Sequence, residues 1–139
     1  MHMPETNTHL KKSIVALLLR LQNADSDKSI REFAYIHKVA AHLGLSADEV
    51  IDIERDLSSY PLKPPSDEKE RMTILYYLLF LMDIDGNIKK EEEDLVKEFG
   101  LRLGFRMGLT SELINEVKRH ATTRVPPNAL LEHIRKYLN

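Results

Sequence analysis

The sequence predicts an all-α fold, namely a single-domain bundle of about seven helices. Apolar residues recur at intervals of three and four along nearly the whole chain, which is the spacing of amphipathic helices. Signals for helix starts are frequent, and glycine is scarce, with five residues in 139. This length suits one domain with one core, so we expect residues 1–139 to form a single domain.

The first two predicted helices cover about 7–23 and 29–43. Each has one apolar stripe: Leu10, Ile14, Leu17, Leu18 and Leu21 in the first, and Phe33, Ile36, Val39, Ala40 and Leu43 in the second. Ser29 and Glu32 have the spacing of a capping box, in which each side chain binds the other residue's backbone N–H. Gly44 stands where a helix needs a left-handed residue at its end.

The next two helices are predicted near 46–58 and 66–83, separated by a loop at 59–65. The loop is expected because prolines cannot continue a helix. Ser46 and Glu49 form a second capping-box pattern. The longest apolar run, residues 74–82, is far shorter than the roughly 20 residues that span a bilayer. We therefore expect a buried helix there and no membrane span.

The last three helices are predicted near 89–103, 110–121 and 127–138. The first of them has an apolar stripe at Leu95, Val96, Phe99 and Leu103. Thr110 provides a start signal for the second, and Pro126 with Pro127 suits the first turn of the third. Gly104 directly follows the helix predicted at 89–103, as Gly44 directly follows the helix predicted at 29–43.

The two halves of the chain resemble each other when one is shifted by sixty positions. The shift aligns three pairs of residues at the helix joints: Asp25 with Asp85, Glu32 with Glu92, and Gly44 with Gly104. Beyond them, a short insertion around 106–109 is needed to keep the match. This pattern predicts a pseudo-two-fold duplication of a three-helix unit. Repeat one covers about 10–58 and repeat two about 66–121, and the helix at 127–138 is appended.

Composition argues against several functional classes. The net charge is −2 with both signs interspersed, so no basic stripe for nucleic acid is expected. Cysteine is absent, which excludes thiol catalysis and thiolate metal sites. The histidines do not have the spacing of a zinc protease, and no catalytic constellation is recognisable, so we expect a protein that is not an enzyme. The N-terminus lacks the apolar core of a signal peptide, and we expect a cytoplasmic protein.

The segment LMDIDGNIKKEEEDL, residues 81–95, resembles half of a calcium-binding EF-hand loop. With Gly86 at the sixth position of that loop, three carboxylates fall at ligand positions 3, 5 and 12: Asp83, Asp85 and Glu92. Position 1, however, is Leu81, and position 9 is Lys89. A leucine cannot bind calcium and a lysine repels it, so the loop lacks two of its ligands.

The first half repeats this incomplete pattern. Asp25 and Glu32 match positions 5 and 12, and Leu21 again stands at position 1. Because Ca²⁺ takes six to eight oxygens, the residues favour a helix joint in both halves. Asp25 caps the following helix in the first half, and Asp85 or Asn87 does so in the second. The alternative is a weak Ca²⁺ or Mg²⁺ site formed by Asp83, Asp85 and Glu92 with Asp25 and Glu32.

Two segments resemble the signature of the tellurite-resistance TerB family, an apolar helix followed by Ala-Asp-Gly and then by Glu-Glu. The better match is residues 78–92, and residues 18–32 match with Ser26 in place of the glycine. Four residues correspond to the family's acidic positions: Asp25, Asp85, Glu32 and Glu92. The resemblance extends over about residues 10–120.

The resemblance implies an all-helical TerB-like fold, which also occurs in the N-terminal region of membrane-anchored DnaJ-like co-chaperones. It further implies a bacterial stress response that includes tellurite resistance, and it does not imply an enzyme. Metal binding and scaffolding at the inner membrane are the roles suspected in the family, so peripheral association with a membrane is compatible with it.

These observations lead to three hypotheses. The first is a non-catalytic interaction or adaptor domain that binds a protein partner through its acidic joints, the segments containing Asp25 with Asp27 and Asp83 with Asp85. The second is a divalent-cation sensor that uses the same residues. The third is a hydrolase whose site forms only in three dimensions; no nucleophile and base with suitable spacing support it.

Overall fold

A computed structural model describes residues 8–24 and 28–123. This part of the chain is all-α, as predicted. Its six α-helices are α1 (Thr8–Asn23), α2 (Ile30–His42), α3 (Ala47–Arg55), α4 (Glu68–Asp83), α5 (Lys90–Arg102) and α6 (Met107–Thr123). A 3-10 turn at Leu57–Ser59 follows α3, and no strand occurs in the described ranges. The helix predicted at 127–138 lies outside them.

Both predicted capping boxes are present. At the start of α2, the Ser29 hydroxyl accepts a hydrogen bond from the Glu32 N–H at 3.0 Å, and the Glu32 carboxylate accepts one from the Ser29 N–H at 3.1 Å. Ser46 and Glu49 repeat this exchange at the start of α3, at 3.2 and 3.0 Å. These bonds satisfy backbone donors that have no partner inside the helix.

The predicted left-handed glycines follow α2 and α5. Gly44 has φ +84° and Gly104 has φ +90°, a conformation that costs little only for a residue without a Cβ. The N–H of the next residue then bonds back into the helix, from Leu45 to the Ala40 carbonyl at 2.8 Å and from Phe105 to the Gly100 carbonyl at 3.0 Å. Both helices therefore end in the same kind of turn.

The two longest apolar helices, α1 and α4, lie at the centre of the bundle. Helix α1 contacts α2, α3, α4 and α5, while α4 contacts α1, α2, α5 and α6. Buried apolar residues from both halves form one cluster, in which Leu18 is 0% and Leu78 is 1% exposed. Residues 60–67 form the predicted loop. Within the described ranges, every helix is too short or too polar to cross a membrane.

The prediction that Phe33 belongs to the buried stripe of α2 is wrong. Its side chain is 56% exposed, whereas Ile36, Val39 and Ala40 are buried. In the first turn of α2 the buried position is taken by Glu32, which is 2% exposed, because its carboxylate folds back to cap the helix. Phe33 is therefore directed away from the core and packs against His37 instead, with the two rings tilted and their centroids 4.3 Å apart.

The prediction that Thr110 lies at the start of α6, where its hydroxyl would act as a cap, is also wrong. The helix begins at Met107, and the Arg106 carbonyl already accepts a hydrogen bond from the Thr110 N–H at 3.3 Å. Thr110 lies inside the helix with its side chain buried, so its hydroxyl is not available as a cap. Helix α3 begins at Ala47, so α6 starts sixty positions after it.

Candidate functional site

Two of the predicted site residues, Glu32 and Glu92, are buried at helix starts. Each is 2% exposed and occupies the third position of its helix, α2 or α5. The Glu92 carboxylate accepts a hydrogen bond from the Lys89 N–H at 3.1 Å, as Glu32 does from Ser29. Both carboxylates therefore stabilise the first turn of a helix.

The aspartates of the site are placed differently. Asp83 is the last residue of α4 and is half-buried, with its carbonyl accepting a hydrogen bond from the Gly86 N–H at 2.8 Å. Asp85 is exposed in the following turn, and Asp25 lies outside the described residues. Among residues 8–24 and 28–123, no three His, Asp or Glu side chains converge in a way that could hold a metal ion.

The prediction that Asp85 or Asn87 caps α5 is wrong. The cap position is Lys89, whose backbone is extended with φ −93° and ψ 154°. Gly86 forms the turn as expected, with φ +69°, but Ile88 then packs partly buried against the core. Residues 85–88 are used to bring Ile88 to the core. Helix α5 therefore starts too far along the chain for Asp85 to bind the first backbone N–H groups of α5.

A first prediction tests whether Glu32 and Glu92 act as caps or as metal ligands. Replacing either one with alanine should lower the free energy of unfolding by about 0.5–2 kcal/mol, the usual cost of losing a cap, whether or not divalent ions are present. Urea titration with chelator, and with millimolar Ca²⁺ or Mg²⁺, measures this. The control Asp85→Ala, at an exposed position, should change stability by less than about 0.5 kcal/mol.

A stabilising effect of the ion that disappears when Glu32 or Glu92 is replaced would favour the cation sensor. An ion that binds only the native state must stabilise it. The cation-site hypothesis therefore requires the wild-type protein to gain stability from the ion, and the Glu→Ala variants to lose that gain.

A second candidate site is a groove of about 670 Å³ between α2 and α4, here called the α2–α4 groove. This volume lies in the range of about 300–1,000 Å³ typical of ligand-binding clefts. Aromatic rings cover much of its surface, with the centroid of Phe80 at 5.3 Å from Tyr35 and 5.9 Å from Tyr76. Val39 and Ile84 add aliphatic surface.

The tyrosine hydroxyls of the groove are neutral, and one of them joins the two helices. The Tyr35 hydroxyl donates to the Tyr77 carbonyl at 3.1 Å, which ties α2 to α4. Burial, and to a smaller extent the nearby phenols of Tyr76 and Tyr77, raises the pKa of Tyr35 far above its usual value. Burial likewise raises the pKa values of Tyr76 and Tyr77. The groove therefore presents apolar rings and neutral hydroxyls.

The edge of the α2–α4 groove is positively charged. Arg31 and Lys38 line it from α2 and are exposed. Within residues 8–24 and 28–123, neither side chain forms a salt bridge. No acidic side chain of the described residues lines the groove. An apolar surface bordered by two available cations is thus exposed to solvent.

Comparison with known proteins gives no relative. No family model, curated protein or solved structure matches this chain.

The sequence contained a signal for the groove that the helix pattern did not use. Residues 74–82 are apolar all around the helix, whereas a surface helix needs only one apolar stripe. Leu75, Leu78 and Leu79 face the core, while Tyr76 and Phe80 are only half-buried. The excess of aromatic side chains on α4 therefore marks a second apolar face, and that face borders the groove.

Proposed function

We propose that this chain is a non-catalytic adaptor domain of the TerB-like type, acting in the cytoplasm, which binds a protein partner in the α2–α4 groove. The observation that supports it is the half-buried aromatic surface that lines a groove between two helices. Binding sites are commonly concave surfaces lined by apolar and aromatic side chains with a few polar groups. A groove between two helices is also the usual receptor for the apolar face of a third helix.

The acidic joints, which the sequence singled out, contribute less to this proposal. Glu32 and Glu92 are engaged in helix caps, and Asp85 is an exposed residue of a turn. The surface with available charge and apolar area is the α2–α4 groove. The proposed binding surface is therefore the α2–α4 groove and not the acidic joints. The proposed setting remains the stress response that the family resemblance implies.

The proposed duplication of a three-helix unit has support in the helix positions. Helices α1 and α4 begin sixty positions apart, and so do α2 and α5 and also α3 and α6. The caps made by Glu32 and Glu92 and the turns at Gly44 and Gly104 recur at the same interval. The groove breaks this symmetry. Lys38 corresponds by position to Glu98, so the two halves carry opposite charges at that site.

A matched pair of variants tests the proposal. Ala34 lines the groove and is exposed, whereas Ala47 is exposed at the start of α3 and does not line it. Ala34→Trp adds bulk to the groove and removes no core contact, and Ala47→Trp is the same change elsewhere. Tagged wild-type protein and both variants are used to capture partners from the source cells, followed by quantitative mass spectrometry.

The expected result is a partner retained by the wild-type protein and by Ala47→Trp, and depleted on the order of tenfold by Ala34→Trp, equivalent to about 1.4 kcal/mol. Equal recovery with all three proteins, in samples whose circular dichroism shows equal folding, would contradict the proposal.

A further inference from the structure

We infer that the partner segment bound by the α2–α4 groove is an acidic amphipathic helix. This inference rests on the proposed function and names the chemistry of the partner. Two observations carry it: the apolar aromatic surface of the groove, and the cations Arg31 and Lys38 at its edge, which form no salt bridge with any other side chain that the structure describes.

The length of the groove suits a helix of about three turns. Its lining residues on α2 run from Arg31 to His42, and eleven residues of α-helix rise by about 17 Å. Along α4 they run from Tyr76 to Ile84, the residue that follows the helix, a rise of about 12 Å. An occupant that follows both helices would be elongated, and it would present apolar residues at i, i+3, i+4 and i+7 to the rings.

The charges at the edge specify the polar side of that helix. Arg31 and Lys38 are seven residues apart and share one face of α2, which separates them by about 10 Å along the axis. A helix lying beside α2 would match them with two carboxylates that are also about two turns apart. With no acidic side chain among the described residues lining the groove, a basic partner would meet only like charges.

The basic face also distinguishes α2 from its counterpart α5. On the exposed surface of α5, the positions sixty residues after Arg31 and Lys38 are Glu91 and Glu98. Glu98 already pairs with Arg102 at 2.9 Å. The available positive charge is therefore a property of α2, and it coincides with the groove.

Three hydrocarbon-stapled helical peptides of about four turns test the inference. They share one leucine face and differ only in the polar positions flanking it, which are all Glu, all Gln or all Lys. Binding to the full chain is measured by fluorescence polarisation at low and high salt. The double variant Arg31→Glu/Lys38→Glu changes two exposed positions, and Arg55→Glu/Lys69→Glu makes the same charge change at exposed positions away from the groove.

We expect the Glu peptide to bind on the order of tenfold more tightly than the Lys peptide, because complementary charge favours one partner and like charge disfavours the other. The preference should shrink at high salt, which screens exposed charges. Arg31→Glu/Lys38→Glu should weaken the Glu peptide by a similar factor, while Arg55→Glu/Lys69→Glu should change its affinity by less than about twofold.

Each other result would overturn the inference, and the results separate it from the proposed function. Equal affinity for the Glu, Gln and Lys peptides, blocked by Ala34→Trp, would leave the groove as a binding site and remove the acidic preference. No binding of any peptide at millimolar concentration would remove the helical partner. Binding that Ala34→Trp leaves unchanged would count against the groove itself. A dimer that Ala34→Trp dissociates in sedimentation equilibrium would assign the groove to a second copy of this chain.

Discussion

Replacing Leu18 with alanine is expected to lower the free energy of unfolding by about 2–5 kcal/mol, the usual cost of emptying a leucine site in a packed core. Leu18 is 0% exposed on α1, and α1 contacts both α2 and α3 of the first half and α4 and α5 of the second. The buried residues of both halves form one cluster. The loss should therefore affect the whole bundle, and urea titration followed by circular dichroism should show a single transition at lower denaturant.

Native-state hydrogen exchange extends this test to the individual helices. Amides of α5 and α6 that exchange only by global unfolding should lose as much protection as amides of α1. If the amides of α4, α5 and α6 kept the same protection in the Leu18→Ala variant as in the wild-type protein, the result would contradict a shared core. The control Leu18→Met keeps the side-chain volume and should cost less than about 1.5 kcal/mol.

Gly100→Ala should also destabilise the protein strongly, by about 1–3 kcal/mol, the usual cost of overpacking. A Cβ at Gly100 would lie 2.5 Å from the Oγ1 and 3.1 Å from the Cγ2 of Thr110. Thr110 is itself 0% exposed, so its side chain has no space into which to move. Helices α5 and α6 would have to separate, and thermal or urea unfolding measures the loss.

A double-mutant cycle identifies the cause of that loss. Thr110→Ala removes the two atoms nearest to the new Cβ, so Gly100→Ala should cost about 1 kcal/mol less in a protein that already carries Thr110→Ala.

Gly108→Ala is the matched control. It is exposed in the first turn of α6, and no heavy atom lies within 4 Å of its added Cβ. It should be neutral or stabilising by up to about 1 kcal/mol. Equal effects at the two glycines would contradict close packing of α5 on α6.

Local patterns predicted the helices well because the relevant contacts are close in sequence. The capping boxes at Ser29 and Ser46 join residues three apart, and Gly44 and Gly104 end their helices through bonds within one turn. Such features are determined by a few neighbouring residues. The five helix ranges from 7 to 103 were therefore predicted to within a few residues.

The errors arose where tertiary packing decides between local options. Asp85 is a good capping residue, but the burial of Ile88 places the cap at Lys89. Phe33 fits the apolar period of α2, but Glu32 occupies the buried position in that turn. Thr110 resembles a cap, but it is buried opposite Gly100.

The α2–α4 groove could not be predicted from local patterns for a related reason. Its rings come from Tyr35 on α2 and from Tyr76 and Phe80 on α4, and the hydrogen bond between Tyr35 and Tyr77 joins residues 42 apart in sequence. Only the excess of aromatic residues on α4 was visible beforehand. The acidic joints were predicted as the site instead, because a cluster of carboxylates within one segment is visible in the sequence.

Site-specific photocrosslinking tests the central claim, that the groove binds a protein partner, most directly. The photoreactive residue p-benzoylphenylalanine is placed in the source cells either at Ala34, in the groove, or at Ala47, outside it. The account predicts a light-dependent adduct with another protein from the Ala34 position only, and its suppression by an excess of the stapled Glu peptide. No adduct from Ala34, or equal adducts from Ala34 and Ala47, would contradict it.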